Sequence, residues 1–64
     1  IGGVNIVEFM FHPDGSITNL KVLDSSGYAI LDDYSINLIE IAYKDYPKPE
    51  TSTKLRFYVQ YRLY

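Results

Sequence analysis

The chain has 64 residues, no cysteine and a formal net charge of −2, so it makes at most one small domain, and one that buries only about 60% of the surface its unfolded form exposes. Without cysteine, neither disulfides nor thiolate metal sites can supplement so small a core, and the compartment is left open. The charge is too mild for a nucleic-acid binder, and seven tyrosines without clustered Lys or Arg make no stacking platform.

Residues 4–12 carry apolar side chains on both faces of an extended pattern: Val7, Phe9 and Phe11 on one, Val4, Ile6 and Met10 on the other, interrupted by Asn5 and Glu8. That pattern predicts a central strand. His12-Pro13-Asp14-Gly15 then predicts a tight hairpin turn, with proline presetting φ and glycine free to take positive φ. The return strand covers 17–23. Ile17 and Leu23 break its alternation, which calls for a bulge near Thr18 and Asn19. Asp24-Ser25-Ser26-Gly27 ends it with turn formers.

Over 30–44 the period changes. Leu31, Ser35, Leu38, Ile39 and Ala42 fall on one helical stripe, flanked by Ile36 and Tyr43, with Asp33, Asn37, Glu40 and Lys44 away from it. Asp32 and Asp33 at the start and Lys44 at the end complement the helix dipole, giving one helix of about four turns. Tyr46-Pro47-Lys48-Pro49 stops it. The last strand alternates most strictly: Leu55, Phe57, Val59, Tyr61 and Leu63 are apolar, while Lys54, Arg56, Tyr58, Gln60 and Arg62 are polar or amphipathic.

The hairpin makes strands one and two antiparallel, and a right-handed helical crossover brings strand three parallel to strand two on the far side of strand one. The expected fold is α+β with element order ββαβ: a three-stranded sheet in the spatial order 2-1-3, antiparallel between neighbours, with one helix packed on one face. Strand three then lies at the border, where its outer backbone groups are unpaired and open to an incoming strand. All eight acidic residues lie within 1–50, whereas 51–64 hold Lys54, Arg56 and Arg62 and no acid, so this border strand is locally positive. Tyr58 shares its solvent-side face with Arg56, Gln60 and Arg62, a mixture common on recognition surfaces and also on ordinary exposed strands.

The residues offer little for catalysis. His12 is the only histidine, and beside a Pro-Asp-Gly turn it reads as a solvated turn residue rather than a base oriented by Asp14. Ser25 and Ser26 lack a positioned base and an oxyanion hole, and Asp24, Asp32 and Asp33 lack the ligand ladder of a calcium loop. No catalytic residue, metal site or cofactor is expected. The longest apolar runs are a few residues against the roughly 20 that a bilayer span needs. The opening on Ile1-Gly2-Gly3, without methionine and straight into a strand pattern, leads us to expect a piece of a longer protein.

Taken in order, these landmarks resemble the C-terminal domain of TonB-family energy transducers. The resemblance rests on Gly3 followed by Val7-Phe9-Phe11, the Pro13-Asp14-Gly15 turn with Ile17 after it, Val22 through Gly27, Leu31-Asp32 opening the helix, Tyr46-Pro47-Lys48-Pro49, and the final alternating strand. It assigns 1–64 to one such domain. It implies a periplasmic location with an inner-membrane anchor upstream, ExbB and ExbD as partners of that upstream part, and outer-membrane transporters for iron chelates, haem, cobalamin or nickel as partners of this one. The family captures a transporter segment, the TonB box, as an added strand; its receiving edge maps onto 54–63, which singles out Lys54, Arg56, Tyr58, Gln60 and Arg62.

The family often carries a Tyr-Pro element and a short helix upstream of the first strand, absent here. Tyr34 and Ser35 stand where it usually places small residues, which predicts looser helix packing. A second copy paired through the open edge is a further expected partner. Two alternatives are a TolA-like domain binding other envelope proteins, opposed by the Ser-Ser-Gly and Tyr-Pro-Lys-Pro elements, and a small enzyme on the same scaffold, for which the residues supply no acid-base pair.

Overall fold

The first hairpin closes where the sequence brings proline, aspartate and glycine together. Gly15 takes φ +87°, its N–H donates to the His12 carbonyl (2.9 Å), and the His12 N–H donates to the Ser16 carbonyl (3.0 Å). Asp14 holds the turn from outside by accepting from the Ser16 amide (2.9 Å) and hydroxyl (2.6 Å). A Cβ at Gly15 would lie 3.0 Å from the aliphatic stem of Lys48, so the proline-rich loop rests on this turn.

The computed structural model describes residues 2–62. Its elements are β1 (Gly2–Phe11), β2 (Ile17–Asp24), α1 (Ala29–Ala42), a 3-10 turn at Tyr43–Asp45, and β3 (Thr53–Arg62). The sheet order is β2-β1-β3, with β1 antiparallel to both neighbours. The α+β fold expected from the sequence is therefore the one observed. Leu63, the last apolar position of the expected strand, lies outside the described residues.

The bulge appears at Asn19. Glu8 pairs with Lys21 but Met10 pairs with Thr18, which leaves an excess residue on β2, and Asn19 absorbs it in the left-handed region at φ 57°. The slip lets both Ile17 and Leu20 pack against the core. A second shift, between Ile6 and Val7, passes over Leu23, which is exposed.

Helix α1 covers the face of β1 that carries Val7, Phe9 and Phe11, all buried, and contributes Leu31 and Ile39. Phe9 stacks on Phe57 of β3 (centroids 5.7 Å, 22° between planes) and meets Phe11 edge-on (6.3 Å). Tyr46, delivered by the turn after the helix, packs on Phe11 and Phe57 at 6.4 and 6.1 Å. Two expectations for the helix change. Leu38 is exposed and Ile36 packs against the core instead, because half-buried Asp32, Ile36 and Tyr43 widen the stripe of Leu31, Ser35 and Ile39 on one side only, which at 100° per residue leaves Leu38 beyond its other border. Lys44 belongs to the 3-10 turn rather than to the last turn of α1.

Phe9 touches aromatic rings on both its own strand and β3, so Phe9→Ala is expected to cost about 3–5 kcal/mol. That approaches the whole stability of a domain this small. Urea titration followed by amide chemical-shift dispersion should find the variant mostly unfolded at 25 °C.

Candidate functional site

From Ile6 to Phe11 both backbone edges of β1 are occupied by its own chain, and β3 pairs with it along its whole length, so the long edges left to accept another strand are the outer edges of β2 and β3. They are not equivalent. The β2 edge is broken by two register shifts and by the left-handed Asn19, and such kinks spoil a template for pairing. The β3 edge is regular: its pairing with β1 runs without a slip from Gly2↔Arg62 to Phe11↔Thr53. Among the described residues, β3 has β1 as its single neighbour.

The two faces of β3 divide as its alternation predicts. Leu55, Phe57, Val59 and Tyr61 are half-buried on the helix side, while Lys54, Arg56, Tyr58, Gln60 and Arg62 are exposed together on the other. Arg56, however, is already engaged. Its Nε donates to Oε2 of Glu8 at 2.7 Å, and Lys21 of β2 approaches the other oxygen at 3.8 Å. Glu8 is buried, and the Arg56 guanidinium holds its carboxyl below the usual carboxylate range. Among the described residues, neither Lys54 nor Arg62 takes part in an ion pair. The positive character of this face thus comes from the two ends of the strand.

A polar chain crosses the core and anchors the far end of β3. Asn5 lies on the same side of β1 as Val7 and is fully buried. The Tyr61 hydroxyl donates to Ser35 Oγ (2.6 Å), Ser35 donates to Asn5 Oδ1 (3.0 Å), and Asn5 Nδ2 donates to Asp32 Oδ1 (3.1 Å). Serine has one proton, so its donation to Asn5 fixes Tyr61 as the donor upstream. Asp32 also accepts from the Ser26 amide (2.9 Å), the Ser26 hydroxyl (2.8 Å) and the Ser25 hydroxyl. These donors, the Ser25 hydroxyl foremost and the Ser26 amide next, hold the Asp32 carboxyl far below its ordinary range. Gly3 belongs to the same corner, because a Cβ there would meet the Ser26 carbonyl at 2.9 Å.

The looser packing expected around Ser35 is not found. Ser35 is buried and bonded on two sides, and Tyr34 turns outward to meet Tyr61 edge-on at 6.1 Å. His12 binds hydroxyls through both ring nitrogens, Ser52 at Nδ1 and Thr18 at Nε2, each at 2.7 Å. It pins the first turn to the loop before β3, while Asp14 is occupied by Ser16. Ser25 and Ser26 serve Asp32 rather than a nucleophilic site.

The comparisons with known proteins agree with this geometry. Residues 1–63 match the family model for the Gram-negative bacterial TonB protein C-terminal domain. The chain belongs to the TonB C-terminal family. It is 35% and 33% identical over 63 residues to TonB proteins of two Helicobacter pylori strains, covering 98% of this chain but 22% of each relative's length. Two solution NMR structures of the Helicobacter pylori TonB C-terminal domain superpose with TM-scores of 0.88 and 0.83 at 34% identity. They cover 100% and 97% of this chain, and 60% and 67% of theirs. TonB proteins are transducers, and this chain spans about a fifth of the length of the curated TonB relatives it matches.

Two outcomes test the polar chain. Asn5→Leu leaves the buried Ser35 hydroxyl without its acceptor and is expected to cost about 1–3 kcal/mol in chemical denaturation. Asp32 has a folded pKa depressed below its unfolded value of about 4, so its contribution is complete above that pH and is lost as pH falls through the folded value. Between about pH 5 and pH 2, Asp32→Asn should therefore flatten the decline in stability seen in the parent chain.

Proposed function

We propose that this chain is the periplasmic domain of a TonB-type transducer and that it takes a short extended segment of an outer-membrane transporter, the TonB box, as a fourth strand on the outer edge of β3. An upstream part of the protein, anchored in the inner membrane and coupled to ExbB and ExbD, supplies the energy of the proton gradient. The transporter uses it to import iron chelates, haem, cobalamin or nickel. The observation that carries this reading is the slip-free ten-residue pairing of β3 with β1, which leaves a straight row of backbone donors and acceptors on the other side.

Backbone pairing suits the task for two reasons. It is indifferent to side-chain identity, so one edge serves several transporters. A pull along the strand is also shared by several hydrogen bonds rather than concentrated on one. On the receiving side, load entering β3 passes to β1 through the sheet and to α1 through Tyr61, Ser35 and Asn5. Lys54 and Arg62, at the two ends of the exposed face, favour acidic residues flanking the captured segment. Arg56, Tyr58 and Gln60 complete the surface beside it.

Titration of the 15N-labelled chain with a peptide from a transporter's N-terminus is expected to shift β3 amides and leave those of β2 in place; shifts confined to β2 would reject the assignment. Lys54→Glu combined with Arg62→Glu should weaken binding by about threefold to tenfold at low salt and remove most of its salt dependence. Arg56→Glu is the wrong probe, since it unpairs buried Glu8 and perturbs the sheet itself.

A further inference from the structure

The helix carries a second apolar row that the fold does not bury. Ile30, Tyr34, Leu38 and Ile41 are 78%, 55%, 42% and 74% exposed and fall at i, i+4, i+8 and i+11, within one strip about 80° wide on the helix surface. The strip lies on the β3 side: Tyr34 meets the Tyr61 ring edge-on, while Asp32, on the opposite flank, is bonded to Ser25 and Ser26 at the end of β2. Because α1 sits over β1 and β2, the helix-side face of β3 is only half covered. Two apolar cavities open there. One, of about 370 Å³, is lined by Ile30, Leu31, Tyr34 and Tyr61; the other, of about 400 Å³, lies among Phe11, Tyr46, Pro47, Pro49, Leu55 and Phe57.

A strand added to β3 must send alternate side chains to the two faces of the sheet. Those on the helix side enter the space between β3 and the strip, where only apolar groups avoid a desolvation penalty. Those on the other side pass Lys54, Tyr58 and Arg62. We propose that the flank of α1 and the underside of β3 form a cleft selecting a partner segment with apolar residues at alternate positions and, among the intervening ones, acidic residues where they face Lys54 and Arg62. The cavities lie at the levels of Leu55 and Tyr61, about 20 Å apart along the strand, so the two principal apolar anchors are about six residues apart and of like parity. A second copy of this chain fits poorly: its own β3 would place Lys54 and Arg62 beside the same cations. The inference rests on the strand-addition reading and adds the side-chain rule to it.

The test uses two capped ten-residue peptides of equal composition, one alternating valine and aspartate, the other with the two residues in separate blocks. With the 64-residue chain, the alternating peptide is expected to bind at least about tenfold more tightly, shifting β3 amides together with the methyl signals of Ile30 and Ile41. The double variant Ile30→Gln, Ile41→Gln changes two exposed side chains; it should keep the free fold and lose about tenfold in affinity for that peptide. Unchanged affinity in the double variant, with β3 amides still shifting, would remove the helix wall and leave strand addition standing, and so would equal binding of the block peptide. No β3 response to either peptide or to the transporter segment would remove both. A dimer that dissociates in the double variant would assign the strip to a second copy and overturn the proposal.

Discussion

The central strand pairs along its whole length with β3 and from Ile6 to Phe11 with β2, and the rest of the molecule is arranged around that double pairing. With β2 on one side of β1 and β3 on the other, the long runs of unpaired strand backbone lie at the two borders of the sheet. The β2 border is kinked twice, while the β3 border is straight. A protein that must avoid indiscriminate association gains from spoiling one edge, and a protein that must dock an extended segment gains from keeping one regular. This fold does both within three strands.

Polar side chains on β1 tie the three strands and the helix together. On the helix side, Asn5 joins Tyr61 of β3 to the loop after β2 through Ser35 and Asp32. On the open side, Glu8 draws Arg56 of β3 and Lys21 of β2 toward one buried carboxylate. Each arrangement would be costly if incomplete, because a buried polar group without a partner loses its hydration for nothing. Among the described residues, every buried side-chain nitrogen and oxygen has a hydrogen-bond partner. In a chain without disulfides, these two clusters and the Phe9–Phe57 stack fix β3 against β1, so that the edge is presented in one register.

Membership in the TonB C-terminal family gives the edge a setting, and the structure shows how its faces differ. One face of β3 is polar and cationic at its ends; the other lies over apolar space bordered by the helix flank and the Tyr46-Pro47 corner. Backbone pairing by itself reads no sequence. A segment that paired with this edge would therefore be discriminated by these two environments, which would act on its alternate side chains.

Much of the fold was legible in the chain because its signals are local: the Pro13-Asp14-Gly15 turn, the change from a period of two to a helical period, and the strict alternation of the last strand. The two-faced apolar pattern of β1 was enough to place it centrally and so to send β3 to the border. The polar interior is not legible in the same way. Asn5 shares the parity of Val7, Phe9 and Phe11, and Ser35 sits midway between Leu31 and Ile39, so their burial was indicated by position, but which partners would satisfy them was not. Those partners are 26 to 30 residues away in sequence, and Glu8 meets Arg56 across 48. Periodicity tells which way a side chain points; only the assembled sheet and helix decide what it meets there, since hydrogen bonds and ion pairs depend on distances that no local pattern encodes. For the same reason the sequence by itself determined that β3 has a polar and an apolar face, whereas the tertiary structure decided that Arg56 is neutralised by Glu8 and that Ile30 and Tyr34 lie beside Tyr61.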